Sequence, residues 1–156
     1  VLELNRLVCE NSKNMASRLV GQSLRMLPRP TIVVSYADIA QGHVGYVYQA
    51  CNFIYTGLSA KRTNWTVEGH EQHSHTIADE SRGRENRSEW IRGKYGDAFS
   101  LSPRSRKHRY VYFCGSRTQV KELRNALRYP VEPYPKGDSS HYDSGGAVPT
   151  QLLLIA

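Results

Sequence analysis

Cysteine is scarce in this 156-residue chain, and what there is does not pair. Cys9, Cys51 and Cys114 stand far apart and form no CxxC motif. An odd, sparse set of this kind excludes a disulfide-stapled scaffold and leaves no cysteine pair for a zinc site. All three lie in apolar surroundings and are expected as small buried core residues. Long apolar runs are missing too. The closing Gln151-Leu152-Leu153-Leu154-Ile155-Ala156 is far shorter than the ~20 residues a membrane-spanning helix needs. No basic stretch followed by an apolar run opens the chain, which speaks against a secretory signal. There is no internal repeat. The chain opens on Val1 rather than on methionine, so elements ahead of it are expected to be missing.

What is abundant is positive charge. The formal net charge is +7, which raises the prospect of an anionic partner such as nucleic acid or a nucleotide cofactor. The charge is uneven. Residues 60–110 hold 11 of the 21 lysines and arginines against 7 acids.

Leu2 to Val8 reads as a strand. After the polar break at Asn11-Ser12-Lys13-Asn14, the residues Ala16, Leu19, Val20, Leu24 and Leu27 recur at helical spacing until Pro28 and Pro30 stop the helix. Thr31-Ile32-Val33-Val34-Ser35-Tyr36-Ala37 suits a strand covered on both faces. A helix is predicted over residues 43–51, weakened at its start by Gly42 and Gly45. Phe53-Ile54-Tyr55-Thr56 is a further strand closed by Gly57. Residues 59–107 are polar and irregular in pattern, with a short helix over 89–95, and are expected as a long loop, functional or disordered. Residues 109–114 form the last core strand. Ser116-Arg117-Thr118-Gln119 is a capping box opening a final helix. The fold class is therefore α/β or α+β, a mixed sheet flanked by helices, in one domain over 1–136 with a basic insertion at 60–108 between the last two core strands. Residues 137–156, rich in small and polar residues, are expected as an extended C-terminal arm.

Three places could carry chemistry. The helix start at Asn14, Ala16, Ser17 and Arg18 could receive phosphate on its free N–H groups, although on these residues alone a turn that binds nothing is the favoured reading. Asp38, His43 and Tyr48 follow the carboxyl end of a buried strand, where open α/β sheets place their sites. There Asp38 could orient or deprotonate an amine and Tyr48 could protonate a leaving group, although on the residues alone an N-cap for Asp38 and core packing for Tyr48 are the favoured readings, and a structural histidine is as good a reading of His43. The insertion offers Lys61, Arg62, Arg82, Arg84, Arg87, Arg104, Arg106, Lys107 and Arg109, interleaved with Trp65, Trp90 and Tyr95. That mixture suits phosphates and stacked bases, or else a local apolar cluster. His70, His73 and His75, with Glu68 and Glu71, have a spacing that could hold a transition metal, but a surface cluster is the favoured reading.

Tyr48-Gln49-Ala50-Cys51-Asn52-Phe53 resembles the Tyr-x-x-x-Gly-Phe signature of the GNAT acetyltransferases, with Asn52 in place of glycine. The wider run Ser35-Tyr36-Ala37-Asp38, Gly42-His43-Val44-Gly45 and Val47 to Phe53 resembles the Mom family of phage DNA-modification proteins. So do Ser23-Leu24-Arg25 and Lys107-His108-Arg109-Tyr110-Val111-Tyr112. The resemblance implies a GNAT-like core and a transferase that converts DNA adenine to an N6-(methylcarbamoyl or acetamido) form, shielding viral DNA from restriction. It implies acetyl-CoA as donor, with iron implicated. It also implies that Asp38 and Tyr48 occupy functional positions and that Ser17 and Arg18 lie in the pyrophosphate loop. The Gly-rich loop of ordinary GNATs is absent, since Asn14 and Ala16 stand where glycines would be. The partners expected are double-stranded DNA and acyl-CoA, in the host cytoplasm and without a membrane, with a homodimer left open. An ordinary N-acetyltransferase and a non-catalytic DNA-binding remnant are the alternatives.

Overall fold

A computed structural model describes residues 1–10 and 12–137 of the chain. Strand β1 (Leu2–Leu4) leads to helix α1 (Met15–Met26) and strand β2 (Thr31–Asp38). A 3-10 turn over Ile39–Gln41, helix α2 (Tyr46–Ala50) and strand β3 (Ile54–Leu58) follow. Then come β4 (Arg62–Val67), α3 (Ser74–Asp79), α4 (Arg87–Tyr95), β5 (Phe99–Arg104), β6 (Lys107–Cys114) and α5 (Arg117–Asn125).

The main sheet has the order β1-β2-β6-β3. β1 and β2 are parallel, and β6 runs antiparallel to both β2 and β3. With its flanking helices this is a mixed α+β arrangement of the GNAT-like kind. Its central strand behaves as its composition dictates. Val33, Ser35 and Ala37 are buried on one face of β2, and Ile32 and Val34 are half-covered on the other. α1 buries Val20 and Leu24 and stops where Leu27 turns extended ahead of Pro28. These side chains meet Phe53, Tyr55, Tyr110 and Cys114 in one core. The predicted capping box opens α5. The Gln119 N–H donates to the Ser116 hydroxyl at 3.3 Å, and the Ser116 N–H donates to the Gln119 side chain at 2.8 Å.

Four expectations are corrected. β1 ends at Leu4 rather than Val8, where the Ser35 hydroxyl donates to the Leu4 carbonyl at 2.8 Å and the parallel ladder stops. α2 begins at Tyr46, because Gly45 is left-handed and leaves His43 in the preceding turn. Cys9 is exposed and Cys51 half-buried, so only Cys114 is a core cysteine. The insertion, expected as a long irregular loop, is ordered. β4 and β5 form an antiparallel ribbon of their own. Val67, Ile77, Ile91 and Phe99 make a second core beneath it, with Trp65, Trp90 and Tyr95 packed on its rim. Its apolar residues come from four separate elements, too far apart in sequence to show a period.

Residues 129–137 have no regular structure but are fastened to the sheet. The Glu132 N–H donates to the Tyr55 carbonyl at 3.0 Å, and the Tyr134 hydroxyl donates to the Phe53 carbonyl at 2.6 Å. Of the expected C-terminal arm, only Gly137 falls inside the described residues.

Candidate active site

Where β1 leaves β2, a cleft opens. It measures about 720 Å³ and is lined from one side by Asn14, Ala16 and Ser17 and from the other by His43 and Tyr48. The shortness of β1 thus brings three of the four expected cofactor residues and two of the three expected catalytic residues to one cavity. Asp38 and Arg18 are not in its lining.

The start of α1 suits an anion. Asn14 is left-handed at φ 61° and places no side-chain cap on the helix. The Met15 N–H donates to Ser12 and the Arg18 N–H to Asn14, while the Ser17 hydroxyl turns back to the Asn14 carbonyl. The first turn carries no acid. Its amide ends lie at the cleft wall, where the helix dipole favours negative charge. A neighbouring groove of about 900 Å³ runs along α1 toward α5. Arg18, Arg25, Arg29 and Arg124 line it, with no carboxylate among its lining residues. Of these only Arg18 was anticipated. The available signal was that Arg18 and Arg25 are seven apart, hence on one helical face.

Tyr48 stands half-buried against Phe53 and Tyr110, with ring centroids 5.5 and 5.3 Å away. Tyr110 is fully buried, and burial pushes its hydroxyl up to about 12. It is therefore a permanent donor, and its hydroxyl donates to the Val44 carbonyl. The Gln49 side-chain amide donates to Tyr110, to Val44 and to the Pro135 carbonyl at 3.1, 3.1 and 3.2 Å. This clamp fixes the turn ahead of α2 and so the place of Tyr48. Sequence reasoning passed over both Gln49 and Tyr110. A glutamine inside an apolar helical stretch was the one visible hint.

Asp38 caps the 3-10 turn, receiving the Ala40 N–H at 3.0 Å. It also receives the Ser105 hydroxyl at 2.6 Å and lies 3.8 Å from the Lys107 ammonium. The Ser105 hydrogen bond, aided by the Ala40 N–H, Lys107 and His43, holds its carboxyl below the ordinary value. Asp38 therefore stays ionised at neutral pH, and the stability it contributes is present above the ordinary carboxylate pKa and is lost as pH falls through its lowered one. Ser105→Ala is expected to raise the Asp38 pKa toward the ordinary value, read from a carboxyl NMR titration. An unmoved titration would show that the Ser105 bond does not set it. His43 is exposed, and its N–H donates to the Asp38 carbonyl at 3.1 Å.

The sequence pattern of the Mom protein family matches residues 1–136. The chain belongs to the Mom family. The protein called methylcarbamoylase Mom, from Escherichia phage Mu, is 31% identical to it over 141 residues, covering 86% of this chain and 56% of the phage protein. The chain thus spans about half the length of that relative.

In this Mom-family chain Asn52 has φ 60°, a left-handed conformation that asparagine and glycine both tolerate. The expected DNA-contacting residues divide by environment. Arg109 donates to the Thr56 hydroxyl and carbonyl, both at 2.8 Å, and covers the Tyr129 ring. Arg106 donates to the Ser59 carbonyl at 2.7 Å. Arg87 bonds to Ser81 and Ala78, Arg84 lies over Trp90, and Arg82 pairs with Asp79. These side chains hold the insertion together and fix it to the sheet. Lys61, Arg62 and Arg104 are exposed at the end of the ribbon nearest Ser105.

Iron finds no ligand set among the described residues, where no three His, Cys, Asp or Glu side chains converge. His70 stacks on Tyr95, His73 receives the His75 N–H, and His75 pairs with Asp79. The histidines are thus engaged separately, and no chemical step is assigned to a metal here.

Proposed function

We propose that this chain is a phage DNA-modifying transferase that acts on adenine N6 and takes its group from acyl-CoA. One observation carries the reading: in a member of the Mom family, a single cleft joins the amide end of α1 to Tyr48. The donor set of α1 fits a diphosphate, with Ala16 and Ser17 offering N–H groups and Arg18 adding charge. The groove of Arg25, Arg29 and Arg124 beside it offers further cations to a phosphorylated ligand. Acyl-CoA, when bound, would supply an activated carbonyl carbon. Tyr48 would protonate the departing sulfur, and Asp38, kept ionised by Ser105, would orient the adenine amine with His43 beside it. The relative's name speaks of a methylcarbamoylase; the transfer written here ends at an N6-acyl adenine with the CoA thiol released, and an N6-(methylcarbamoyl or acetamido) adenine takes its amide nitrogen from a further donor. Among the described residues no helix is long and apolar enough to cross a membrane. Action in the host cytoplasm, where phage DNA resides, is part of the proposal.

The test is mass spectrometry of nucleosides from plasmid DNA recovered from cells that express the chain. A mass-shifted deoxyadenosine, absent when Tyr48→Phe is expressed, is the expected result. Unaltered adenine together with an acetylated small amine or protein would replace this reading with ordinary N-acetyl transfer. Unaltered adenine with DNA binding alone would leave a binding protein.

A further inference from the structure

The β4–β5 ribbon is two-faced. Successive strand residues point to opposite sides, so Trp65, Val67 and Phe99 face the second core, while Leu101, the partner of Trp65 on the same side, lies outside it and is exposed. The opposite face carries Arg62 paired with Arg104, Asn64 with Ser102 and Thr66 with Ser100. All six are polar or basic, and none carries a carboxylate. Only Asn64 is partly covered; the other five are exposed.

Two arginines directly opposite on one face stand about 5 Å apart at Cβ and repel each other. Folding alone would favour an opposite charge at either position. The packing of the second core does not require the pair, because both side chains lie on the other side of the ribbon. Nor does any described carboxylate pair with them: the ion pairs of the insertion join Asp79 to Arg82 and His75, Glu80 to Lys94, and Lys107 to Asp38. Lys61 precedes Arg62 and adds a further cation at the same end.

A two-stranded ribbon is narrow enough to enter the major groove of B-DNA, which is about 12 Å wide. Asparagine and arginine are the side chains that pair bidentately with adenine and guanine edges there, and serine and threonine serve either base or phosphate. Position favours the same partner. Arg104 is followed by Ser105, whose hydroxyl is bonded to Asp38. The ribbon therefore starts beside the candidate site and presents its most basic end to it.

We propose that the outer face of the β4–β5 ribbon docks in the major groove of double-stranded DNA. Arg62 and Arg104 meet the phosphates at the groove's edge, and Asn64, Ser102, Thr66 and Ser100 reach the base edges. The inference rests on the reading of this chain as a DNA-modifying enzyme and assigns the duplex-holding element of that enzyme.

The test is fluorescence anisotropy of the full chain with a labelled duplex of about 20 base pairs at several salt concentrations. Arg62→Ala with Arg104→Ala is expected to weaken binding at least tenfold and to flatten the salt dependence by about one ion per arginine removed. Asn64→Ala is expected to keep the salt slope and to narrow the gap between preferred and random duplexes. Prior methylation of guanine N7, which lies in the major groove, should block binding, and a minor-groove drug should not. The double variant loses a repulsion and should melt no lower than the unaltered chain, which separates lost contact from lost fold. Unchanged affinity and salt slope in the double variant, with the unaltered chain binding DNA, overturns the ribbon and leaves the proposed function standing. Failure of the unaltered chain to bind any duplex overturns both.

Discussion

Gly45→Ala is expected to destabilise the chain by about 3 kcal/mol or more and to abolish adenine modification with it. Two independent costs meet at this residue. Its backbone is left-handed, with φ 78° and ψ 35°, which a side chain disfavours by about 1–2 kcal/mol. A Cβ built there would lie 2.5 Å from the Tyr110 ring. That ring cannot step aside. It is fully buried, packs on Tyr48 and Tyr55 at 5.3 Å each, and is held by its hydroxyl to Val44. Overpacking a site of this kind costs a further 1–3 kcal/mol, roughly. Thermal unfolding followed by circular dichroism checks the expectation. A melting temperature within one or two degrees of the unaltered protein would show that the turn ahead of α2 adapts, contrary to the geometry. Gly42 offers an internal comparison. It too is left-handed, but nothing lies within 4 Å of a Cβ placed there, so Gly42→Ala should carry the backbone cost alone.

Tyr48→Phe is expected to lower the modification rate by about a hundredfold or more while leaving the fold intact. The ring stays, and with it the contacts to Phe53 and Tyr110. Only the hydroxyl at the cleft is removed. The measurement is the initial rate of modified deoxyadenosine formation, set beside thermal unfolding and DNA affinity for the same variant. An unchanged rate would falsify the role given to Tyr48. Tyr110→Phe serves as a control for a purely structural phenol. It removes a bond to the Val44 carbonyl and one from Gln49, which should cost about 1–2 kcal/mol of stability. A variant that loses rate without stability, against one that loses both, separates a group that acts from one that positions.

Much of the sheet was legible because its strands are written locally. Thr31 to Ala37 is nearly continuous in apolar residues, and Ser116 with Gln119 spells its cap directly. The family was legible because Ser35 to Phe53 combines a buried strand, a glycine-bearing turn and a Tyr signature in fixed order. Of the insertion, the helix over 89–95 and a local apolar cluster were legible, but its β ribbon and the make-up of its core were not, for a physical reason. Its core is made of single residues, Val67, Ile77, Ile91 and Phe99, each from a different element, and pattern reading needs several from one. The outer ribbon face is polar by alternation, so each of its strands reads as loop. The site was legible in part. Asp38, His43 and Tyr48 were picked out, but which of them line the cleft depends on where β1 stops, and that is decided by how Ser35 meets Leu4. Ser105 and Gln49 act through partners distant in sequence, and no local pattern marks such pairs.

Helix α2 has only five residues, too few to stand alone in water. It is held on one side by chain made earlier, through the Val44 carbonyl, and on the other by chain made later. Gln49 needs Tyr110 and Pro135, and the Tyr46 hydroxyl receives the Gly137 N–H at 3.2 Å. A chain that stops short of Tyr110 has Tyr48 but lacks the later half of the clamp. The place of Tyr48 is therefore complete only once the chain reaches as far as Gly137.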